Sequence, residues 1–249
     1  MTALRTHMNL VVDIGNTKIK AAIFNSGQIV ESVSFEESDA VRKLSDLINR
    51  YDIHGCILSS VRADNEQIIE LLNSLPYFIE LNSTTKIPFH NLYGTPATLG
   101  KDRIALVAAA SNQYANKNVL VIDAGTCITY DFLNEQNEYL GGAISPGIDI
   151  RYRSLHDYTS KLPKLVKSEE YSLTGSSTNE SIHSGVVNGI TQEILGVMNQ
   201  YKQKYPDLTV ILTGGDTKFL FKQLKNSIFA HQNFLLLGLN QILTFNNKE

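Results

Sequence analysis

Tryptophan is absent from this chain, and its 249 residues include only two cysteines, three methionines and six prolines. Two cysteines exclude a disulfide framework, and neither Cys56 nor Cys127 has metal-ligand spacing. Both sit in apolar runs and read as buried thiols of a reducing compartment. Excess positive charge is also lacking. Twenty-two Lys and Arg against 25 Asp and Glu leave a formal net charge of −3, which makes nucleic acid and acidic membrane surfaces poor partners and favours small molecules. No apolar run approaches the ~20 residues that span a bilayer. The run after polar Met1 to His7 meets Asp13 too soon for a signal-peptide core, and Met8 is an alternative first residue. The expectation is a cytoplasmic protein.

What is present is a chain 43% hydrophobic and 19% charged, enough for one large domain or two small ones. From Asn9 to Phe35 the pattern predicts strand, turn, strand, turn at Asn25-Ser26-Gly27, strand. The first turn, Asp13-Ile14-Gly15-Asn16-Thr17-Lys18-Ile19-Lys20, combines a carboxylate, a permissive glycine, and amide, hydroxyl and amine groups. Taken alone, it is either an ordinary polar hairpin or a clamp for a metal-bound polyphosphate. Ser38 or Asp39 caps a predicted helix with Val41, Leu44, Leu47 and Ile48 on one face. A strand at Cys56-Ile57-Leu58, a helix from about Asp64 to Leu75, and a strand from Tyr77 to Leu81 follow.

Residues 84–100 read as loop and deliver the chain to Lys101-Asp102-Arg103, just ahead of an Ala-rich helix from about Ile104 to Tyr114. Asn118 to Ala124, Gly125-Thr126, Ile128 to Leu133, a polar turn and Tyr139 to Ile144 then repeat the opening arrangement, with Asp123-Ala-Gly-Thr in the place of Asp13-Ile-Gly-Asn-Thr. Two such hairpins predict a duplicated α/β domain, 1–116 and 117–249, with a cleft between the halves. A third glycine turn, Thr213-Gly214-Gly215-Asp216, stands between a strand and a helix start, an anion- or nucleotide-binding geometry. Ile182, Val186, Ile190, Ile194, Val197 and Tyr201 stripe a long helix in which Met198 is core. Leu235 to Leu243 stripe a terminal one. Arg151 to Ser177, rich in Lys, Arg, Ser and Thr, reads as a solvated face or a phosphate-covering lid.

Two acidic hairpins plus a Gly-Gly-Asp turn resemble the phosphate and adenosine elements of the acetate and sugar kinase, Hsp70 and actin superfamily, which implies ribonuclease H-like (actin-like ATPase) domains with mixed sheets flanked by helices. That fold leaves function open. Tyr93 and Gly100-Lys101-Asp102-Arg103, together with Asp13-x-Gly-Asn-Thr, Asp123-x-Gly-Thr126, Gly141-Gly142-x-Ile144-x-Pro146-Gly147 and Gly175-x-x-Thr178, resemble type III pantothenate kinase over nearly the whole chain. The resemblance implies ATP-dependent phosphorylation of pantothenate to 4'-phosphopantothenate, the first step of coenzyme A synthesis. It also implies Mg²⁺, a monovalent cation (K⁺ or NH₄⁺), and a homodimer.

Carried over residue by residue, the resemblance puts Asp13 through Lys20 on ATP, with Asp13 nearest Mg²⁺ and Lys20 neutralising phosphate charge. Lys18 is either part of that set or a solvated partner. Asp123 would hold the monovalent cation and Thr126 the phosphates. Tyr93, Gly100, Lys101, Asp102, Arg103 and Thr178 would form the pantothenate site, with Thr178 contributed across a dimer interface. Lys101 occupies a variable position that also suits solvent. Phosphoryl transfer has a loose transition state, so positioning dominates and a weak, well-aimed base suffices. Asp102 is the candidate base, or a helix cap. Arg103 either grips the substrate carboxylate or fixes Asp102. Tyr93 is also readable as a half-buried loop aromatic and Thr178 as a helix N-cap. Two other readings stay open: a kinase for another small hydroxylated acceptor, and a non-catalytic nucleotide-binding regulator that would have lost one of the three acids.

Overall fold

Apolar residues between Asn9 and Phe35 fold into three antiparallel strands, β1 (Met8–Ile14), β2 (Ile19–Asn25) and β3 (Gln28–Phe35). Positive φ at Ser26 and Gly27 turns β2 into β3. The chain continues through α1 (Ala40–Arg50), β4 (Ile53–Ser60), α2 (Glu66–Asn73) and β5 (Phe78–Glu80). Because β4 runs parallel to β1 and β5 parallel to β4, the strand order is β3-β2-β1-β4-β5. A short β6 (His90–Asn91) and a 3-10 turn over Pro96–Thr98 lead into α3 (Lys101–Gln113). The structure, a computed structural model, describes residues 8–62, 65–224 and 228–247. The expectations for Met1 to His7 and for a helix beginning at Asp64 therefore fall outside the described residues.

The second unit repeats this plan. It contains β7 (Val119–Ala124), β8 (Cys127–Leu133), β9 (Glu138–Pro146), α4 (Ile148–Asp157), α5 (Thr178–Lys204), β10 (Thr209–Thr213), α6 (Thr217–Gln223) and β11 (Phe229–Ala230). β7, β8 and β9 are antiparallel neighbours, while β10 runs parallel to both β7 and β11. Within this six-stranded sheet the order β9-β8-β7-β10-β11 thus matches the first sheet in sequence and direction. The duplication expected from the two hairpins is present as two mixed sheets flanked by helices.

Several local expectations change. The terminal helix α7 (Phe234–Asn246) packs in the first unit, which comprises residues 1–113 and 233–249, while residues 114–232 form the second. Residues 117–249 are therefore not one body. The reason lies in shape: a Cβ on Gly238 would stand 1.7 Å from the Ala105 carbonyl oxygen, so α7 lies directly against the alanine-rich α3. Asn240 also accepts a hydrogen bond from Asn9 of β1 at 2.9 Å. Residues 103–110 of α3 are all buried, as suits a helix enclosed on every side.

Cys127, expected to be buried, is exposed, while Cys56 is buried; Cys127 opens β8 at the hairpin tip, where the apolar run has not yet entered the core. Val41 is exposed because the buried face of α1 is centred on Ala40, Leu44 and Leu47. Asp39 stands at the N-cap position, but its carboxylate accepts from Arg42 at 2.6 Å instead of capping. Lys101, Asp102 and Arg103 form the first turn of α3 and do not precede it. The solvated stretch expected from Arg151 begins with α4, whose Ile148 and Tyr152 are buried; Leu162, Leu165 and Tyr171 further along also pack against the core.

Candidate active site

In the first unit, β1 ends by presenting Asp13 at 8% exposure. Antiparallel register sets Lys20 opposite it, and parallel register sets Ser59 beside it. Removal from water pushes the Asp13 carboxyl up to about 6. Lys20 and Ser59 pull the other way, and the nearby charge of Asp102 adds to the rise. The Ser59 hydroxyl is fully buried and influences Asp13, but makes no hydrogen bond of ordinary geometry. Ile14 and Ile19 are core residues at 1% exposure, so only their backbones face a ligand. Asn16, Thr17 and Lys18 are exposed, and Lys18 lies 4.0 Å from Glu36, a solvated pairing.

The tip is braced by residues that the sequence reading missed. Arg62, just after β4, donates to the Asn16 carbonyl at 2.6 Å and to Glu37 at 2.5 Å. Asn65 donates to the Arg62 carbonyl and the Ser60 hydroxyl. Nothing in the local pattern of Ser59-Ser60-Val61-Arg62 announces this; only the parallel pairing of β4 with β1 brings it to the tip.

Asp102 enters from α3. Its carboxylate accepts from the Arg103 backbone N–H at 2.8 Å, and a Cβ on Gly100 would stand 2.4 Å from that same carboxylate oxygen. Gly100 therefore leaves the space in which the Asp102 side chain folds back. Arg103 is 5% exposed, and its guanidinium lies 5.5 Å from the Tyr93 ring centroid, within cation–π range. Lys101 pairs with Glu80 at 3.6 Å, which gives it a partner on β5 in place of solvent. The first unit thus gathers Asp13, Lys20 and Asp102, with Arg103 stacked beneath Tyr93.

In the second unit the tip Gly125-Thr126 joins β7 and β8. The glycine turn after β10 is built against it. Asp216 N–H donates to the Ala124 carbonyl at 2.9 Å, Gly214 takes φ 97°, and a Cβ on Gly214 would stand 2.3 Å from an Asp123 carboxylate oxygen. Gly147, at the start of α4, donates to the Thr126 carbonyl at 3.1 Å, and a Cβ there would strike the Gly125 and Thr126 carbonyls. Asp123 and Thr126 therefore share one glycine-lined corner. Thr178 lies elsewhere in this unit, as the exposed first residue of α5. The N-cap is Ser177, whose hydroxyl accepts from Glu180 N–H at 3.3 Å while Glu180 accepts from Ser176.

Among the described residues no three or more His, Cys, Asp or Glu side chains converge on a metal-sized space. The carboxylates at the hairpin ends instead suit a hard cation that keeps most of its ligands from water and phosphate. Two duplicated sheets, each with an acidic hairpin and one with a glycine turn, give the duplicated α/β fold class of sugar kinases and actin-like proteins.

Solved structures agree on the fold. A protein from Campylobacter jejuni assigned to the Baf family of transcriptional activators superposes with a TM-score of 0.63 at 21% identity, covering 96% of this chain and 100% of its own. The activator of the 2-hydroxyisocaproyl-CoA dehydratase from Clostridium difficile gives 0.53 at 14%, covering 98% and 96%. Within that class the family is specific. Residues 9–200 match the family model for type III pantothenate kinase. Proteins so named from Christiangramia forsetii and Flavobacterium psychrophilum are 49% and 44% identical, covering 97% and 96% of this chain and 100% and 99% of theirs. The chain belongs to the type III pantothenate kinase family.

Proposed function

We infer that this enzyme transfers the γ-phosphoryl group of ATP to the hydroxyl of pantothenate, giving 4'-phosphopantothenate for coenzyme A synthesis. Family membership supports the reaction. The observation that carries the acceptor chemistry is the α3 entrance, where Gly100, Asp102 and Arg103 meet Tyr93 in the unit that also holds Asp13.

Asp102 orients the acceptor hydroxyl and takes its proton as the bond to phosphorus forms. Its carboxylate is already fixed by the Arg103 N–H and the space left by Gly100, so little ordering remains to be done on binding. Arg103, buried beneath Tyr93, presents its planar fork to the carboxylate of pantothenate. Lys101, tied to Glu80, shapes the wall of the pocket. The Gly15–Lys18 tip offers backbone N–H groups and the Asn16 and Thr17 side chains to phosphate, and Lys20 supplies positive charge beside Asp13. Asp13 would hold Mg²⁺, which neutralises charge on the transferring group when bound. Thr126 serves the phosphates, and Asp123 holds the monovalent cation. The enzyme acts as a homodimer in which Thr178 serves the partner's pantothenate site; the apolar groove beside Thr178 supports this.

The retention of Asp13, Asp102 and Asp123 favours turnover over a regulator that only binds nucleotide. The test is ADP release by the purified protein with pantothenate, MgATP and K⁺. Turnover of pantothenate is expected; inertness towards pantothenate with phosphorylation of a different hydroxylated acceptor would overturn the assignment.

A further inference from the structure

The chain leaving β4 anchors Arg62 from several sides. Its backbone N–H donates to the Ser60 hydroxyl at 3.0 Å, and its carbonyl accepts from that hydroxyl at 3.0 Å and from the Asn65 amide at 2.8 Å. Ser60 and Asn65 are buried. One residue earlier, the Val61 N–H donates to the Ile14 carbonyl at 3.1 Å, so this stretch stays in register with the end of β1. From that fixed backbone the guanidinium reaches the Asn16 carbonyl at 2.6 Å with one nitrogen and Glu37 at 2.5 Å with another.

The contact with Asn16 fixes a direction as well as a distance. A trans peptide is planar, and its C=O and N–H point opposite ways. With the Asn16 carbonyl held by Arg62, the Thr17 N–H of the same peptide is turned away from Arg62, where it has no acceptor among the described residues. The Gly15 N–H, in contrast, is already bonded to the Lys18 carbonyl at 3.1 Å. A charged donor on the carbonyl also polarises the peptide and strengthens its N–H as a donor. The pairing with Glu37 does not account for the arrangement, because the Glu37 side chain is 59% exposed and an ion pair so open to water contributes little.

We propose that Arg62 is a positioning residue for the nucleotide: by holding the Asn16 carbonyl it presents the Thr17 N–H, already aimed, to a phosphate of a nucleoside triphosphate. The inference rests on the reading of the Asp13–Lys20 hairpin as the ATP site. It adds a residue from outside the hairpin to that site and names the backbone donor that the residue aims. Without the contact the Asn16–Thr17 peptide is free to rotate, and binding has to order it first.

Equilibrium binding of MgATP without pantothenate, to wild type, Arg62→Gln, Arg62→Lys, Glu37→Gln and Lys20→Met, tests this, with the Thr17 amide followed by NMR. Arg62→Gln is expected to bind about tenfold more weakly, as loss of one aligned hydrogen bond would give. Arg62→Lys, which keeps the charge and a donor, should recover a large part of that loss. Glu37→Gln leaves the Asn16 contact in place and should bind within about twofold of wild type. In wild type the Thr17 amide should shift on addition of MgATP, a readout that needs no variant to fold. Unchanged binding by Arg62→Gln overturns the proposal, and so does a Thr17 amide that MgATP leaves unmoved. A Glu37→Gln variant as weak as Arg62→Gln also overturns it, since Arg62 would then merely tie the hairpin to the turn after β3. If Lys20→Met weakens binding and Arg62→Gln does not, the hairpin reading survives and only this inference falls; if neither variant changes it, both fall.

Discussion

Asp102 and Asp13 are carboxylates of one unit held in opposite ways, and the difference separates the tests of their proposed roles. Asp102 is partly exposed and bonded to the next residue's N–H, whereas Asp13 is buried and destabilised as an anion. Asp102→Asn keeps the shape and the side-chain acceptor but cannot take a proton. Its kcat for pantothenate phosphorylation should fall by about a hundredfold or more, with the KM for ATP changed less than about threefold, as steady-state kinetics would read. Near-normal kcat in a folded Asp102→Asn variant would remove this residue from proton transfer. For Asp13 the linkage runs against stability. Its folded value near 6 lies above the ordinary 3.8, so between those pH values the native state binds more protons than the unfolded chain, and stability falls as pH rises through that window. Above it the cost is constant, about 3 kcal/mol for two units at about 1.36 kcal/mol each. Asp13→Asn should therefore melt higher than wild type at pH 7.5 in urea or heat, converge with it near pH 4, and lose kinase activity throughout. An Asp13→Asn protein less stable than wild type at pH 7.5 would show that burial does not dominate at this carboxylate.

Among the elements, those with strong local signals were legible and those defined by distant pairing were not. The continuous apolar runs of β1, β2, β7 and β8 and the three-to-four spacing of α5 identify themselves, and so does the glycine turn after β10. Lys101-Asp102-Arg103 is legible as a site but not as helix, because three charged residues before an apolar run look like loop; their charges are accommodated in the first turn of α3. The bracing of the Asn16 tip by Arg62 was invisible because it depends on β1 and β4 being parallel neighbours 46 residues apart in sequence. Chain order likewise points the terminal helix to the second unit, and it packs in the first. Its apolar stripe says that it is buried, not against what. The close approach of α7 to α3 gives that assignment a measurable consequence. Gly238→Ala would place a methyl 1.7 Å from the Ala105 carbonyl oxygen, so the helices must separate. The loss should be about 2 kcal/mol or more, as for overpacking elsewhere, despite the better helix propensity of alanine. Chemical denaturation reads it directly, and an unchanged midpoint would refute the packing.

At the scale of the whole molecule, the duplicated sheets account for the fold shared with the solved structures, and the proposed assembly has a candidate surface in the second unit. An apolar groove of about 720 Å³ lies between α4 and α5, lined by Pro146, Ile150, Leu155, Leu162, Ile182 and Val186, with Thr178 at its edge. Water against such a surface is unfavourable, and a second copy of the chain is the partner that the proposed homodimer supplies. Gly185 also lines it, and nothing lies within 4 Å of where its Cβ would stand. Gly185→Glu therefore adds a charge to the groove without a clash inside the subunit, and it replaces a helical glycine by a better helix former. Sedimentation should show wild type as a dimer at micromolar concentration and Gly185→Glu as a monomer, with the thermal midpoint of each folded subunit little changed. If Thr178 serves the partner's site, this monomer should also lose pantothenate phosphorylation while still binding MgATP. A monomeric variant with full activity would confine the pantothenate site to one subunit, and a variant that stays dimeric would move the interface away from this groove.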